Sequence, residues 1–422
     1  MNKPIFTDTK IKKIGKVITG KTPATDVCEN YGNDYMFITP NELHNGYIIR
    51  KSEKGLSELG LSSIKNNSIS GISILVGCIG WDMGNVALCT ETCATNQQIN
   101  AITEVESEYN PYYVYYWLSI KKDYLFKIAS VTRTPILNKS TFEEITIPMP
   151  QKDVQDGTVA VLSAIDRKIE LNNYTFPELE DMAKTIFDYW FVQFDFPNVE
   201  GKPYKSSGGA MVWNEQLKRE IPKDWEVKSL DNFVKVIRGV TYSKDDISDV
   251  PKDGYTTLLR ANNISNGTIN YEGLVYVNKK CISNSQLLEG HSIFIAMSSG
   301  SKEHLGKTAI VPCNLDTSFG AFCSKIEIVK NAFAWLAIYF RTAYFKSHIN
   351  NICLGTNINN LTNDHIYSIN LPVPPKSILD AFNILILPLI NKQGYSHLEN
   401  RELTKLREWL LPMLMNGQVT LV

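Results

Sequence analysis

A repeat of about 220 residues runs through this 422-residue chain and constrains its fold more than any other feature. Lys16-Val17-Ile18-Thr19-Gly20-Lys21-Thr22 returns as Lys235-Val236-Ile237-Arg238-Gly239-Val240-Thr241. Phe37-Ile38-Thr39-Pro40-Asn41, closing on Asn45-Gly46, returns as Leu258-Leu259-Arg260-Ala261-Asn262, closing on Asn266-Gly267. Ile145-Thr146-Ile147-Pro148-Met149-Pro150 returns as Ile369-Asn370-Leu371-Pro372-Val373-Pro374. The offsets stay between 219 and 224, so the chain is two copies of one unit with small insertions. So long a period means tandem domains rather than a solenoid.

Each copy divides in two. Its first ~150 residues mix short β-rich runs with Gly and Asn turns, and one helix is expected at 111–120, capped by Asn110 with Pro111 at its first position. The matching helix is expected near 332–345. After the Pro-x-Pro punctuation comes a long helix. Its apolar seam reads Leu162, Ile165, Ile169, Asn172, Phe176, Leu179, Ala183, Ile186, Trp190, alternating steps of three and four. That is a coiled-coil seam with one polar residue, Asn172, to fix register. Pro177 should kink or restart this helix. In the second copy the same phase runs through Phe382, Leu385, Leu389, Lys392, Ser396, Glu399, Leu403, Leu406, Leu410 and Met413.

The expected fold is α+β: two similar mixed α/β domains joined by two long antiparallel helices, with a pseudo-two-fold internal repeat. The boundaries read as domain 1 over 1–150, spacer helix 1 over 151–200, an exposed Gly/Ser/Lys connector over 201–222, domain 2 over 223–374 and spacer helix 2 over 375–422.

Signals for catalysis fail on spacing. Residues 300–308 resemble a phosphate-binding loop, but five residues separate Gly300 from Gly306 where that loop needs four. Asn110-Pro111-Tyr112-Tyr113 is one residue from the Asn-Pro-Pro-Tyr signature of amino methyltransferases, yet no Gly-rich cofactor loop accompanies it. The six histidines are scattered, and Cys89 and Cys93 have no second pair to complete a zinc site. The chain reads as non-catalytic and without metal. No apolar run is long enough to cross a bilayer and no signal peptide is visible, so a cytoplasmic protein is expected.

The C-terminal Glu408-Trp409-Leu410-Leu411-Pro412-Met413-Leu414-Met415-Asn416-Gly417-Gln418-Val419 resembles the ending of the specificity (S) subunits of type I restriction-modification enzymes. The Ile-x-Ile-Pro-x-Pro domain ends, Gly20-Lys21-Thr22-Pro23 and Gly355-Thr356-Asn357-Ile358 look like the same family. The resemblance implies two target-recognition domains, each reading one half of a split double-stranded DNA sequence. It implies helices that space the domains and dock two modification (methyltransferase) subunits, joined by restriction (helicase-nuclease) subunits, in a bacterial or archaeal cytoplasm. The partners would bring S-adenosylmethionine, ATP and Mg²⁺; this chain would bind no cofactor. A two-headed helical adaptor without DNA readout is the alternative that the residues alone leave open.

Phosphate contacts should come from Lys, Arg and turn N–H groups, and base readout from Arg, Asn, Gln and Thr. The candidates at or beside repeat-aligned turns are Lys21, Thr22, Asn41, Arg50, Trp81 and Arg133 in the first domain. In the second they are Arg238, Tyr242, Arg260, Asn262, Lys302, Lys307 and Asn357, and Gln97-Gln98 is a further possible reader. Phe187, Trp190, Phe191, Trp409, Leu410 and Leu411 form the expected partner-docking face, because they exceed what one two-helix seam buries. The net charge of −1 does not exclude DNA: residues 151–200 alone carry 10 acidic against 4 basic side chains, while residues 1–150 balance at 15 each.

Overall fold

A computed structural model describes residues 5–44, 46–131, 134–299, 304–354 and 360–419. It divides into two compact units, Met1–Leu171 with Asn400–Val422, and Asn172–Glu399.

In the first unit, strands Lys16–Thr19, Ile99–Thr103, Ser73–Gly77 and Val86–Cys89 lie side by side in that order, all antiparallel. The last three strands are buried along their whole length, because both faces of the sheet are covered. The two-residue period of a strand sorts their side chains. Ile74, Val76, Val86, Leu88 and Ile102 join one cluster with Tyr113, Val114 and Trp117 of the helix Pro111–Ser119. Leu75, Ala87, Cys89, Ile99 and Ala101 join another with Ile38, Ile69 and Cys93 of a second sheet. That sheet runs Lys54–Leu56, Tyr31–Ile38, Cys93–Thr95, Ser68–Ile69, and its central pair is parallel. Thr7–Lys10 pairs with Thr146–Met149, tying the domain's two ends together. The helix begins as expected, with the Asn110 side chain accepting from the Tyr112 N–H at 2.9 Å.

The second unit repeats this plan. Val234–Arg238, Cys323–Ile328, Ser292–Ala296 and Thr308–Val311 form the first sheet. Ile247–Ser248, Val275–Asn278, Tyr255–Leu259 and Thr317–Phe319 form the second, whose last pair, Tyr255–Leu259 with Thr317–Phe319, is parallel. Glu226–Ser229 and Asn370–Val373 tie the ends. Ile293, Ile295 and Ile326 face the helix Phe333–Tyr339, while Phe294, Ala309 and Val311 face Leu259 and Phe319. The helix expected at 332–345 is two, Phe333–Tyr339 and Ala343–Leu354.

Each unit also holds parts of two long helices, Lys152–Phe187 and Lys376–Met415. In the first unit the buried Asp166 carboxylate accepts from Arg407 Nη1 at 2.8 Å and from the Tyr116 hydroxyl at 2.7 Å. Val159 and Leu162 share a core there with Leu411, Leu414 and Met415. In the second unit Asn172 Nδ2 donates to Glu399 at 2.8 Å, and Gln393 Nε2 donates to the Phe176 carbonyl at 2.9 Å. Numbers rise along one helix as they fall along the other, so the pairing is antiparallel.

Two expectations need correction. The first helix runs through Pro177 without a break. The second helix is turned by about one residue, or 100°: Leu385 and Leu406 are exposed, as are Lys392 and Glu399, while Phe382, Ile386, Ile390 and Gln393 are buried. The turn keeps the Lys392 charge in water and places the Gln393 amide inside, where the Phe176 carbonyl accepts from it. The segment 201–222 is largely exposed and carries local structure of its own. Met211–Asn214 and Arg219–Pro222 form a hairpin, the Phe196 ring stacks on Tyr204 and Trp225 at 4.7 and 5.3 Å, and Asp195 accepts from Ser206 N and Oγ at 2.7 and 2.6 Å. Among the described residues no helix is long and apolar enough to cross a membrane.

Candidate nucleic-acid interface

Two glycines organise the same end of each domain. A Cβ on Gly20 would lie 2.2 Å from the Asn96 carbonyl, and one on Gly239 would lie 2.2 Å from the Gly320 carbonyl. Only glycine lets the strand end approach the neighbouring turn so closely. Four backbone hydrogen bonds then hold that turn, and they correspond one to one. Gly20 N–H donates to Ile99 at 3.0 Å, Asn96 to Ile38 at 3.1 Å, Cys78 to Gln98 at 2.7 Å and Ile99 to Asn96 at 3.2 Å. In the second unit Gly239 N–H donates to Cys323 at 3.0 Å, Gly320 to Leu259 at 2.9 Å, Met297 to Phe322 at 2.9 Å and Cys323 to Gly320 at 2.8 Å. Four strand ends therefore converge at one place in each unit.

Several sequence-predicted residues meet there. Lys21 and Thr22 follow Gly20, and the Thr22 hydroxyl donates to Gln97 at 2.9 Å. Asn41 lies exposed in the turn Pro40–His44 that follows the second-sheet strand. Trp81 is 71% exposed beyond the strand Ser73–Gly77, its ring 6.0 Å from Phe126. Next to it Asp82 accepts from Lys122 Nζ at 3.1 Å and meets His44 at 2.6 Å, which hold its carboxyl below the usual range. In the second unit Tyr242, Arg260 and Asn262 line one cavity of about 500 Å³ with Ser298, Ser299 and Phe322. Arg238 leans over the same turn, donating from Nε to the Ala321 carbonyl at 3.3 Å. Arg260 donates from Nη2 to Gly273 at 3.2 Å, and its buried Nε finds no acceptor among the described residues. Among the described residues Lys21, Arg238 and Arg260 pair with no carboxylate, so their charge is available to an anion.

Other candidates lie elsewhere. Arg50 is held by the first long helix, its Nε donating to Glu170 at 2.6 Å, and that hydrogen bond raises its pKa. Lys307 lines a different cavity with Arg341 and Lys346, where Arg341 pairs with Glu180 at 2.7 Å. Arg133, Lys302 and Asn357 lie outside the described residues. The expected docking face is largely spent inside the chain. Phe187 and Phe191 are buried in the second unit's core against Phe382, and Leu411 is buried in the first unit's core. Trp190 and Leu410 are half-buried, and Trp409 is 58% exposed. The mixed domains need these aromatics to close their helix-side faces, which a two-helix seam alone does not reveal. Sequence reasoning missed Phe322, which is 69% exposed in the turn. Its signal was alignment with Gln98, not residue type.

The type I restriction modification DNA specificity domain matches this chain twice, over residues 6–181 and 222–393. The type I restriction enzyme MjaIX specificity subunit of Methanocaldococcus jannaschii is 28% identical over 417 residues, covering 97% of this chain and 92% of that protein. The EcoKI specificity subunit of Escherichia coli is 32% identical over 206 residues, 48% of this chain and 44% of that protein. A crystal structure of the type I restriction-modification S subunit from M. genitalium aligns with TM-score 0.65 at 15% identity, covering 98% of this chain and 97% of that one.

Proposed function

Because this chain belongs to the type I restriction modification DNA specificity family, we propose that each unit reads one half of a split DNA target at its glycine-organised end. The chain is a DNA specificity subunit and not itself an enzyme. What carries the two-half-site reading is one frame of four backbone hydrogen bonds, present in both units under different side chains. A shared frame gives the two ends the same approach to a duplex, and unlike side chains give them different base preferences.

In this reading Lys21, Arg238 and Arg260 meet phosphate or base edges. The long helices offer their remaining surface, Trp409 included, to two methyltransferase subunits. Restriction subunits join for cleavage. S-adenosylmethionine, ATP and Mg²⁺ belong to those partners, and the complex works in the cytoplasm. The acidic first helix and balanced domains favour weak DNA binding by the chain alone, with partners supplying most phosphate contacts.

The test is co-purification with a modification subunit, followed by mapping of methylated adenines on plasmid DNA. A bipartite motif that requires both proteins is expected. Methyl transfer by the purified chain alone, or none of defined sequence with the partner present, overturns the reading.

A further inference from the structure

We infer that the turn between the second-sheet and first-sheet strands is the element that makes the two half-sites differ, and that Phe322 reads a thymine 5-methyl group in the second of them. The inference rests on the DNA-reading role proposed above and names a residue for it.

The turn's backbone is the same in both units. Gly20 and Gly239 abut it in the same way, and the four matched hydrogen bonds set Asn96 against Gly320, Gln97 against Ala321 and Gln98 against Phe322. Its side chains are opposite in character. In the first unit all three are amides, already preorganised: Asn96 Nδ2 donates to Gln98 Oε1 at 2.9 Å, the Gln98 N–H donates to Asn96 Oδ1 at 3.1 Å, and Thr22 holds Gln97. An amide fixed in this way presents a donor and an acceptor together, the pair that matches the major-groove edge of adenine. In the second unit no side chain of the turn can make a hydrogen bond. Gly320 and Ala321 clear the way, and Phe322 stands out into solvent beside Tyr242, Arg260 and Asn262.

At 69% exposure Phe322 contributes little burial to the fold. Arg238 and Arg260 flank it without carboxylate partners, so the surroundings suit a polyanion and not an apolar protein surface. In the major groove the one apolar feature on a base edge is the thymine methyl. Phe322 contacting it would bury both.

The test uses the full complex with its modification subunits, on the motif mapped above. Duplexes carry deoxyuridine in place of thymidine at single positions, which removes the methyl and leaves pairing intact. Competition binding is measured for the wild-type chain and for Phe322→Ala. One position in the second half-site should lose roughly fourfold in affinity with wild type, about the worth of one buried methyl, and lose nothing further with Phe322→Ala. First half-site substitutions should respond identically in both proteins. A second half-site without thymine, no sensitive position, or the same loss in both proteins overturns the inference. Equal melting temperatures for the two proteins are expected from the exposure of Phe322, and a lowered one for Phe322→Ala would count against a side chain free to meet DNA. Failure of the wild-type complex to recognise any sequence would instead overturn the specificity reading itself, and is seen without the variant.

Discussion

Asp166 shows how much a single side chain carries in this protein. Its carboxylate is 2% exposed and takes hydrogen bonds from Arg407 and Tyr116, which come from the second long helix and from the first domain's helix. A buried pair broken on one side leaves an uncompensated charge. Arg407→Leu, which strands the buried Asp166 carboxylate, should therefore cost about 3–5 kcal/mol in chemical denaturation, whereas the double change with Asp166→Ala should cost clearly less. A loss no larger than that of an exposed ion pair would refute this account. Residues of this kind were partly legible in sequence. Gly20 and Gly239 stood out because they recur in matched motifs, and the structure gives the reason in the carbonyl that a Cβ would strike. Asp166 did not stand out, because its partner lies 241 residues away and nothing local marks it. Phe322 was illegible for a different reason: Gly320-Ala321-Phe322 carries no side chain that makes a hydrogen bond, so nothing in the segment marks it as a reader.

The long helices were the most legible elements, since a three-four alternation needs only neighbouring residues to be seen. Along the first helix Leu162, Ile165, Asn172 and Ala183 are buried as that alternation requires. Along the second helix the phase was misread, because Lys392 and Glu399 had to be accepted on the seam to keep it continuous. The desolvation cost of the Lys392 charge decides otherwise, and Gln393 takes the inside place with a bond to the Phe176 carbonyl, while Glu399 stays beside the seam as the acceptor for Asn172. Pro177 sits one residue beyond that carbonyl, in a helix that tolerates it without breaking. A proline in a helix interior lacks the N–H its position should donate, at a cost of roughly 3 kcal/mol. Pro177→Ala should thus raise the melting temperature, by a stability gain of up to that amount. An unchanged or lowered melting temperature would mean that the ring itself is part of the packing.

At the scale of the molecule, the repeat predicts two equal copies, yet the compact units are not the copies. The first unit takes in Asn400–Val422, and the second is the unbroken stretch Asn172–Glu399. The repeat was visible because both copies keep the same motifs. The exchange of helix ends was not, because it depends on which core Leu411, Leu414 and Met415 enter. Stopping the chain after Glu399 should lower the unfolding temperature of the first unit and leave the second unchanged, as two transitions in scanning calorimetry. Loss confined to the second unit would contradict the division. The same division reverses the usual order in which a nascent chain matures. Domains made first on the ribosome normally fold first. Here residues 172–399 can finish as a continuous stretch, while the domain translated before them waits for a helix segment made after it. A prematurely terminated chain would present a well-formed second reader and an unfinished first one, so recognition of a two-part sequence comes only with synthesis through residue 415.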